Sequence, residues 1–224
     1  LGVAPARLAA SNVSGVPLVR VHAANRSGPV WVLVEWTGRC IAVVALALLL
    51  PLLSLLAVAI RRGSPGPAIY RQPRVGQDGR MFTMFKLRTM TDGPLVDTPL
   101  ENDCDEVLFK MRSDPRITPL GRWLRRYSLD ELPQLANVVL GQMRLVGPRP
   151  ALPAEVSAYD EDARRRLAVR PGITGLWQVS GRSDLTWEET VRLDLHYVDN
   201  WTPWLDLLIL GRTVGAVLRH RGAY

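Results

Sequence analysis

Two adjacent carboxylates, Asp130 and Glu131, stand out among the side chains of this 224-residue chain that could do chemistry. The Ser128-x-x-Glu131 spacing is that of a capping box, in which both side chains satisfy free backbone amides, and spacing alone favours capping. Asp130 is a further acid at the same predicted helix start, where the positive end of the helix dipole favours anions and divalent cations compete for them. An unusually basic stretch leads into this position: Arg122, Arg125 and Arg126.

Single arginines in rigid or glycine-containing turns form a second group of candidates. Arg149 lies between two prolines in the turn 146–150, and such rigidity lowers the entropic cost of presenting a guanidinium to an anion. Arg170 and Arg182 lie in turns with glycines, which can expose backbone amides to phosphate. A plain connection between helices explains each turn as well, so each candidate is weak alone.

An apolar segment with basic flanks precedes these candidates. Residues 41–60 carry no charge, and a helix of that length would span roughly 30 Å, the thickness of a bilayer core. Its length and uniform apolarity disfavour the alternative of a buried core helix, and Pro51 predicts a kink. Since Arg39 and Arg61 flank the segment, the pattern fits a broken, re-entrant helix that enters and leaves by one face; a kinked span also fits.

The rest of the sequence predicts an α+β, mainly α architecture. Residues 68–72 and 81–90 have the pattern of a short β-hairpin around a glycine-containing turn. Residues 91–106 are acidic and predict an exposed loop, and the pattern is helical from residue 120 onward. The Trp-rich stretch that begins at Trp201 fits either an interfacial amphipathic helix or a final core helix.

Three parts of the chain follow from these patterns. Residues 1–35 are expected to be a separate linker, with a short strand and a polar stretch at residues 25–29. Residues 36–62 are expected to be the membrane-inserted helix. Residues 63–224 are expected to form a small helical domain that carries the candidate residues.

Composition excludes several classes of protein. The 28 basic residues exceed the 21 acidic ones, which gives a net charge of +7. Two cysteines cannot form a disulfide scaffold, and three scattered histidines argue against a zinc site. No nucleic-acid-binding motif accompanies the basic residues, which cluster beside the apolar segment, so we do not expect a nucleic-acid partner.

Several ordered motifs carry a family resemblance. They occupy residues 64–72, 74–79, 85–90, 128–137, 146–150, 169–175 and 197–200. With these motifs, residues 36–224 resemble the bacterial sugar transferases, also called monotopic phosphoglycosyl transferases. The segment before Trp36 resembles the end of the extra N-terminal portion of long family members, which implies that this chain is their catalytic part.

The resemblance implies an activity and a location. Such enzymes transfer a sugar-1-phosphate from a UDP-sugar to polyprenyl (undecaprenyl) phosphate, release UMP and use Mg²⁺. The step initiates assembly of exopolysaccharide, capsule, O-antigen or protein glycan. The resemblance implies the cytoplasmic face of the bacterial inner membrane, contact with membrane lipid, and a catalytic domain at residues 63–224; it leaves homo-oligomerisation open.

The resemblance also implies roles for individual residues. Asp130 would be the nucleophile that attacks the sugar-bearing phosphorus, and also a ligand of Mg²⁺, while Glu131 would be its catalytic partner. Arg149 would hold phosphate. The other residues implied in substrate or phosphate binding are Lys86, Arg88, Arg125, Arg182 and Asp206. For these residues the alternatives are an arginine that braces a loop and an acid that caps a helix.

One feature departs from the family pattern, and one rival function stays open. Leu50 precedes Pro51 where the family usually has Ser, whose hydroxyl could satisfy the backbone that Pro opens. The rival is a non-catalytic, membrane-anchored scaffold whose basic surface binds acidic lipid or a partner protein. The scaffold explains the basic blocks and the apolar segment, but it does not explain the acid pair followed by the Pro-Arg149-Pro turn.

Overall fold

The computed structural model describes residues 8–13, 16–21, 28–91, 114–181 and 185–218. The fold is mainly helical with a β-hairpin, as predicted. Its elements follow the chain as β1 Leu8–Val13, β2 Val16–Val21, α1 Pro29–Gly63, β3 Ile69–Val75, β4 Met81–Leu87, α2 Pro119–Arg126, α3 Gln134–Val139, β5 Arg144–Val146, α4 Pro153–Ser157, α5 Glu161–Arg164, β6 Gly172–Thr174, α6 Leu176–Ser180, α7 Trp187–Asn200 and α8 Pro203–Leu218. The predicted acidic loop lies outside the described residues, except for Thr91.

The apolar segment forms one long helix, α1. It begins at Pro29, earlier than the predicted start at residue 36, because proline fits a first helical turn that needs no backbone N–H. The helix continues across Pro51. Among the described residues, α1 is the helix long and apolar enough to cross a bilayer by length and composition, and only 11% of its most apolar window is buried. This low burial is unlike that of a core helix; the re-entrant path stays a prediction.

One face of α1 packs against the rest of the chain along the apolar segment. The packed positions follow each other at intervals of three or four residues, which is the spacing of a single helix face: Ala42, Leu46, Leu49, Leu53, Leu56 and Ile60. Their neighbours come from β4, α2 and α3. Leu48 and Leu55, on other faces, are exposed. The domain therefore lies along the helix rather than beyond one of its ends.

The hairpin of β3 and β4 confirms the sequence prediction. The strands are antiparallel, with Ile69 opposite Leu87 and Val75 opposite Met81. Met84 and Leu87 are buried against the helices, which fixes the strand to the core. Lys86 follows Met84 on the same strand face, since side chains alternate along a strand, and so reaches the edge of the packed core.

A parallel pair of short strands supports the turn around Arg149. Arg144 of β5 pairs with Gly172 of β6, and Val146 pairs with Thr174. The backbone amide of Gly172 donates to the Pro148 oxygen at 2.9 Å. A Cβ atom at Gly172 would collide with the neighbouring backbone, so only glycine permits this close approach. The two turns that the sequence singled out separately thus form one unit.

The C-terminal helices α7 and α8 enclose a second core. Tyr197, Val198, Trp201 and Ile209 are buried there. Trp204 is exposed on α8. Each alternative for the Trp-rich stretch therefore describes part of it, because Trp201 lies in the core and Trp204 faces outward. An interfacial position for α8 stays a prediction.

Candidate active site

Asp130 and Glu131 lie in a 3₁₀ turn, Leu129–Glu131, between α2 and α3. The capping box predicted from the spacing is wrong. Ser128 has a left-handed backbone, with φ 54°, and its side chain makes no capping hydrogen bond to the described residues. A capping residue needs an extended backbone, which Ser128 does not have. Glu131 instead pairs with Lys86.

Asp130 is the buried member of the acid pair, with 8% of its surface exposed. Burial first, and then the negative charge of Glu131, raise the pKa of Asp130, while the positive charges of Lys86 and Arg125 lower it. The neighbouring charges therefore help to set how much of this carboxylate is ionised. A buried acid with charged neighbours is typical of functional sites.

Lys86 and Glu131 form an ion pair at the edge of this turn. The Nζ atom of Lys86 donates to Oε1 of Glu131 at 2.8 Å, and both side chains are 26% exposed. The pair joins strand β4 to the 3₁₀ turn. It places an ammonium group where it acts on both carboxylates.

Arg125 approaches the acid pair from α2. Its Nε atom donates to the Thr89 hydroxyl at 2.9 Å. Thr118 caps the helix by accepting from the Gly121 amide at 2.9 Å, and Gly121 packs so closely on the Thr89 backbone that a side chain there would collide with it. These contacts fix α2 to the end of the hairpin and hold the Arg125 charge near Asp130.

Arg74 on strand β3 supports the Arg149 turn and was not among the predicted site residues. It is buried, its Nη1 atom donates to the Pro150 oxygen at 2.9 Å, and its Nη2 atom donates to Gln72 at 2.7 Å. Burial, and then the charge of Arg149, lower the pKa of Arg74 to about 10, while Glu131 raises it. Its place in the motif 74–79 was the signal available in the sequence.

Arg149 is held by the short helix α4. Its Nη1 atom donates to both carboxylate oxygens of Glu155 at 2.9 Å. Glu155 also accepts from the Leu152 backbone amide and is buried. The guanidinium of Arg149 is thereby fixed beside Arg74, which concentrates positive charge on one side of the site.

Arg88 stands apart from this group. Arg88 is buried, and its two terminal nitrogens donate to the Pro65 and Ser64 oxygens at 2.6 and 2.7 Å. It therefore braces the turn that follows α1, and its phosphate-binding role stays a prediction. Arg182 lies outside the described residues.

Asp206 belongs to a separate buried cluster on α8. It accepts hydrogen bonds from Tyr197 at 2.8 Å and Trp201 at 3.0 Å, and it pairs with Arg144 at 3.4 Å. The Arg144 guanidinium lies 3.9 Å from the centre of the Trp31 ring. This cluster ties α8 and β5 to the start of α1, and a substrate-binding role for Asp206 stays a prediction.

The carboxylate oxygens of Asp130 and Glu131 are the ligand atoms to consider for a divalent cation. Within the described residues, no three His, Cys, Asp or Glu side chains converge to form a metal cage. Mg²⁺ is commonly held by one or two carboxylates together with substrate phosphates and water. A buried carboxylate at Asp130, with Glu131 next to it and the charge of Arg125 nearby, fits that mode.

Comparison with known proteins decides the family. The family model described as bacterial sugar transferase matches residues 31–220, which is most of the chain. The chain belongs to the bacterial sugar transferase family. The match covers α1, the hairpin, the acid pair and the Arg149 turn, so every described part of the candidate site lies within it.

Curated relatives of this bacterial sugar transferase carry related names. The UDP-galactose-lipid carrier transferase of Erwinia amylovora is 46% identical over 187 residues, which is 80% of this chain and 39% of the relative. The undecaprenyl-phosphate galactose phosphotransferase of Salmonella typhimurium is 47% identical over 166 residues, 71% of this chain and 35% of the relative. The exopolysaccharide production protein ExoY of Sinorhizobium fredii is 41% identical over 191 residues, 82% of this chain and 84% of the relative. The chain spans well under half of the first two relatives.

Proposed function

We propose that this bacterial sugar transferase moves a sugar-1-phosphate from a UDP-sugar to polyprenyl phosphate and releases UMP. The buried carboxylate of Asp130, set beside the Lys86–Glu131 ion pair and near the charge of Arg125, carries the proposal. The names of the relatives, which include undecaprenyl-phosphate and UDP-galactose, support it. The product would start assembly of exopolysaccharide, capsule, O-antigen or glycan.

The reaction proceeds in two displacements at one phosphorus. A carboxylate oxygen of Asp130 attacks the phosphorus that bears the sugar, the bond from that phosphorus to the UMP oxygen breaks, and UMP leaves with the electron pair. A phosphate oxygen of polyprenyl phosphate then attacks the same phosphorus, and the bond to Asp130 breaks. A carboxylate nucleophile splits one difficult displacement into two easier ones.

The charged neighbours serve this chemistry by position. Lys86 and Arg125 favour the ionised, nucleophilic form of Asp130. Glu131 holds the Lys86 ammonium in place. Arg74 and Arg149 offer fixed positive charge to the phosphates of the donor, and preorganised charge of this kind stabilises a transferring phosphoryl group. Mg²⁺ bound at Asp130 would neutralise further charge on the phosphates.

The first test measures UMP release. The chain, in nanodiscs with undecaprenyl phosphate and Mg²⁺, is incubated with a panel of UDP-sugars. We expect UMP from one sugar, and loss of about 10³-fold or more of the rate in Asp130→Asn. The control is Asp162→Asn, which makes the same change on an acid whose side chain is 77% exposed, and it should keep the parent rate.

Omitting the lipid acceptor isolates the first displacement. The parent chain should then release about one equivalent of UMP and gain the mass of a phosphosugar, since the covalent intermediate has no acceptor. Asp130→Asn should do neither while it remains in the membrane fraction. Equal turnover by that variant would exclude Asp130 as the nucleophile, and UMP from no UDP-sugar would contradict the proposed donor and favour the scaffold function.

A further inference from the structure

A fully buried ion pair lies beneath the Arg149 turn and takes no direct part in the proposed reaction. Arg166 and Asp194 expose only 2% and 1% of their side chains. The Arg166 guanidinium donates to Oδ2 of Asp194 through Nη2 at 2.5 Å and through Nε at 2.9 Å. A buried pair of this kind is costly to desolvate and is weak support for stability on its own account. Its presence calls for another explanation.

The ion pair is enclosed by the elements that carry the Arg149 turn. The Arg166 Nη1 atom donates to the Tyr159 hydroxyl at 3.1 Å, and the guanidinium lies 5.2 Å from the centre of the Trp187 ring. Tyr159 packs with Ala151, the residue directly after the turn. Ala151 in turn bridges to Val75 on β3. A continuous set of contacts therefore runs from α7 to the turn.

Arg149 lines the same small cavity as Arg166 of this ion pair. Arg149, Tyr159 and Arg166 line one small cavity under the turn, with room for about one water molecule. The second oxygen of Asp194, Oδ1, is buried and has no close hydrogen-bond partner among the described residues. Burial raises the pKa of Asp194, while Arg166 and then Arg149 lower it. The guanidinium of Arg149 is meanwhile held by Glu155.

We infer that the Arg166–Asp194 pair positions the Arg149 turn through Tyr159 and Ala151, so that the guanidinium of Arg149 meets the donor phosphate. Glu155 holds the side chain of Arg149, and the ion pair holds Tyr159, which packs against Ala151 at the end of the turn. The inference rests on the proposed function for its consequence in catalysis. The placement of the turn by Asp194 does not depend on that function.

The first experiment measures the turn itself. Hydrogen–deuterium exchange is followed in the full chain in nanodiscs, in the peptide that contains Arg149 and in the peptide 129–139. Asp194→Asn should speed exchange at the Arg149 peptide by about tenfold and leave 129–139 unchanged. The control is Asp199→Asn on the same helix, which breaks a more exposed ion pair with Arg165 and should exchange like the parent.

A second variant guards against misfolding. Replacing one partner leaves a buried charge unpaired, whereas replacing both with apolar residues of similar volume is often neutral for stability. Arg166→Met combined with Asp194→Leu should therefore fold and still show fast exchange at the Arg149 peptide. Unchanged exchange there in this folded double variant would overturn the inference.

Kinetics connect the positioning role to donor binding. Asp194→Asn should raise the KM for the UDP-sugar about tenfold in the parent chain, but by less than about twofold in an Arg149→Gln background, because residues that act as one unit are not additive. Additive effects would mean that Asp194 does not act through Arg149. If exchange rises but no UDP-sugar reacts, the positioning role stands and the proposed function falls.

Discussion

Asp130 and Glu131 are neighbours in the chain but have different relations to solvent. Asp130 is buried, and burial raises its pKa, whereas Glu131 shares a half-exposed ion pair with Lys86. An exposed pair contributes little to stability, and this one is open enough for solvent to screen it. The Lys86 charge matters more through its effect on the ionisation of Asp130. In the proposed reaction Asp130 would be the nucleophile, and Glu131 would hold the Lys86 ammonium that tunes its ionisation.

Removing the Lys86 charge should shift the pH dependence of the reaction. In the proposed reaction Asp130 must be ionised to attack, so the rate should fall as pH drops through its pKa. Burial raises that pKa and Lys86 lowers it, so Lys86→Gln raises it further. The acid limb of the kcat/KM profile should therefore move to higher pH. A pH–rate series of UMP release measures this shift.

Arg71→Gln is the matched control for this shift. Arg71 lies on strand β3 next to β4 and is exposed, and its replacement by Gln removes the same unit of charge as Lys86→Gln. Its register partner is Phe85, so it lies on the hairpin face opposite to Lys86. We expect an unchanged acid limb in this variant. An equal shift in both variants would mean that net charge, rather than the Lys86 contact, sets the profile.

Single residues differ in how far the sequence could predict their roles. The acid pair could be found because its members are adjacent. The capping interpretation was wrong because backbone conformation at Ser128, not spacing, decides whether a side chain can cap. Arg74 could not be found by spacing, because its partner Pro150 lies 76 residues away. Asp206 was predicted as a ligand residue, yet three polar contacts from the surrounding core already hold it.

Helices and strands also differ in how far the sequence could predict them. The hairpin was predictable because its strands are close in sequence and alternate in character. The strands β5 and β6 were not, because each has three residues and they pair across a long separation. The sequence also could not predict which face of α1 packs against the domain. When a helix is apolar all round, no pattern distinguishes the face toward protein from the face toward lipid.

The packed face of α1 constrains its path. A straight helix from Ala42 to Ile60 is about 27 Å long, close to the ~30 Å of a bilayer core. The domain contacts α1 over that entire length. A straight span would carry the charged elements α2 and β4 into hydrocarbon at high cost. A helix that enters and leaves by one face keeps these contacts at the surface.

Both ends of α1 should therefore be accessible from one side. Cys40 is an exposed free cysteine directly before the apolar segment 41–60, and Arg61→Cys in a Cys104→Ser background adds a second directly after it. In inside-out vesicles, a membrane-impermeant maleimide should label both positions. Pro51→Ala should keep this result, because the packed stripe extends on both sides of Pro51.

The other possible labelling results show whether Pro51 or the packed face of α1 sets the topology of the helix. Labelling of the two cysteines from opposite sides in the parent chain would contradict the re-entrant path. If only Pro51→Ala gives opposite labelling, the proline rather than the packed stripe sets the topology. The chain that keeps Arg61 is the control for vesicle orientation. In that chain Cys40 reports the labelling of one end of the apolar segment alone.

The whole molecule combines a net charge of +7 with a broad apolar surface. Large apolar side chains are exposed along α1, with Leu48 at 76%, and α8 adds Trp204 at 72%. Soluble proteins rarely expose contiguous apolar surface of this extent. Basic charge attracts anionic lipid headgroups, and apolar burial holds the chain in the bilayer. The two contributions respond differently to salt, which separates an embedded enzyme from a peripheral basic scaffold.

Salt should therefore fail to release the chain from membranes. At about 1 M salt the Debye length is ~3 Å, which screens headgroup attraction but leaves apolar burial intact. We expect the chain to stay in the membrane pellet at high salt and to be extracted by detergent. Leu55→Arg, on the exposed face of α1, should reduce the pelleted fraction, because a central arginine costs about 2.5–3.5 kcal/mol in hydrocarbon. Arg80→Gln, at the exposed hairpin turn, should not. Release by salt alone would instead mean that charge holds the chain at the surface.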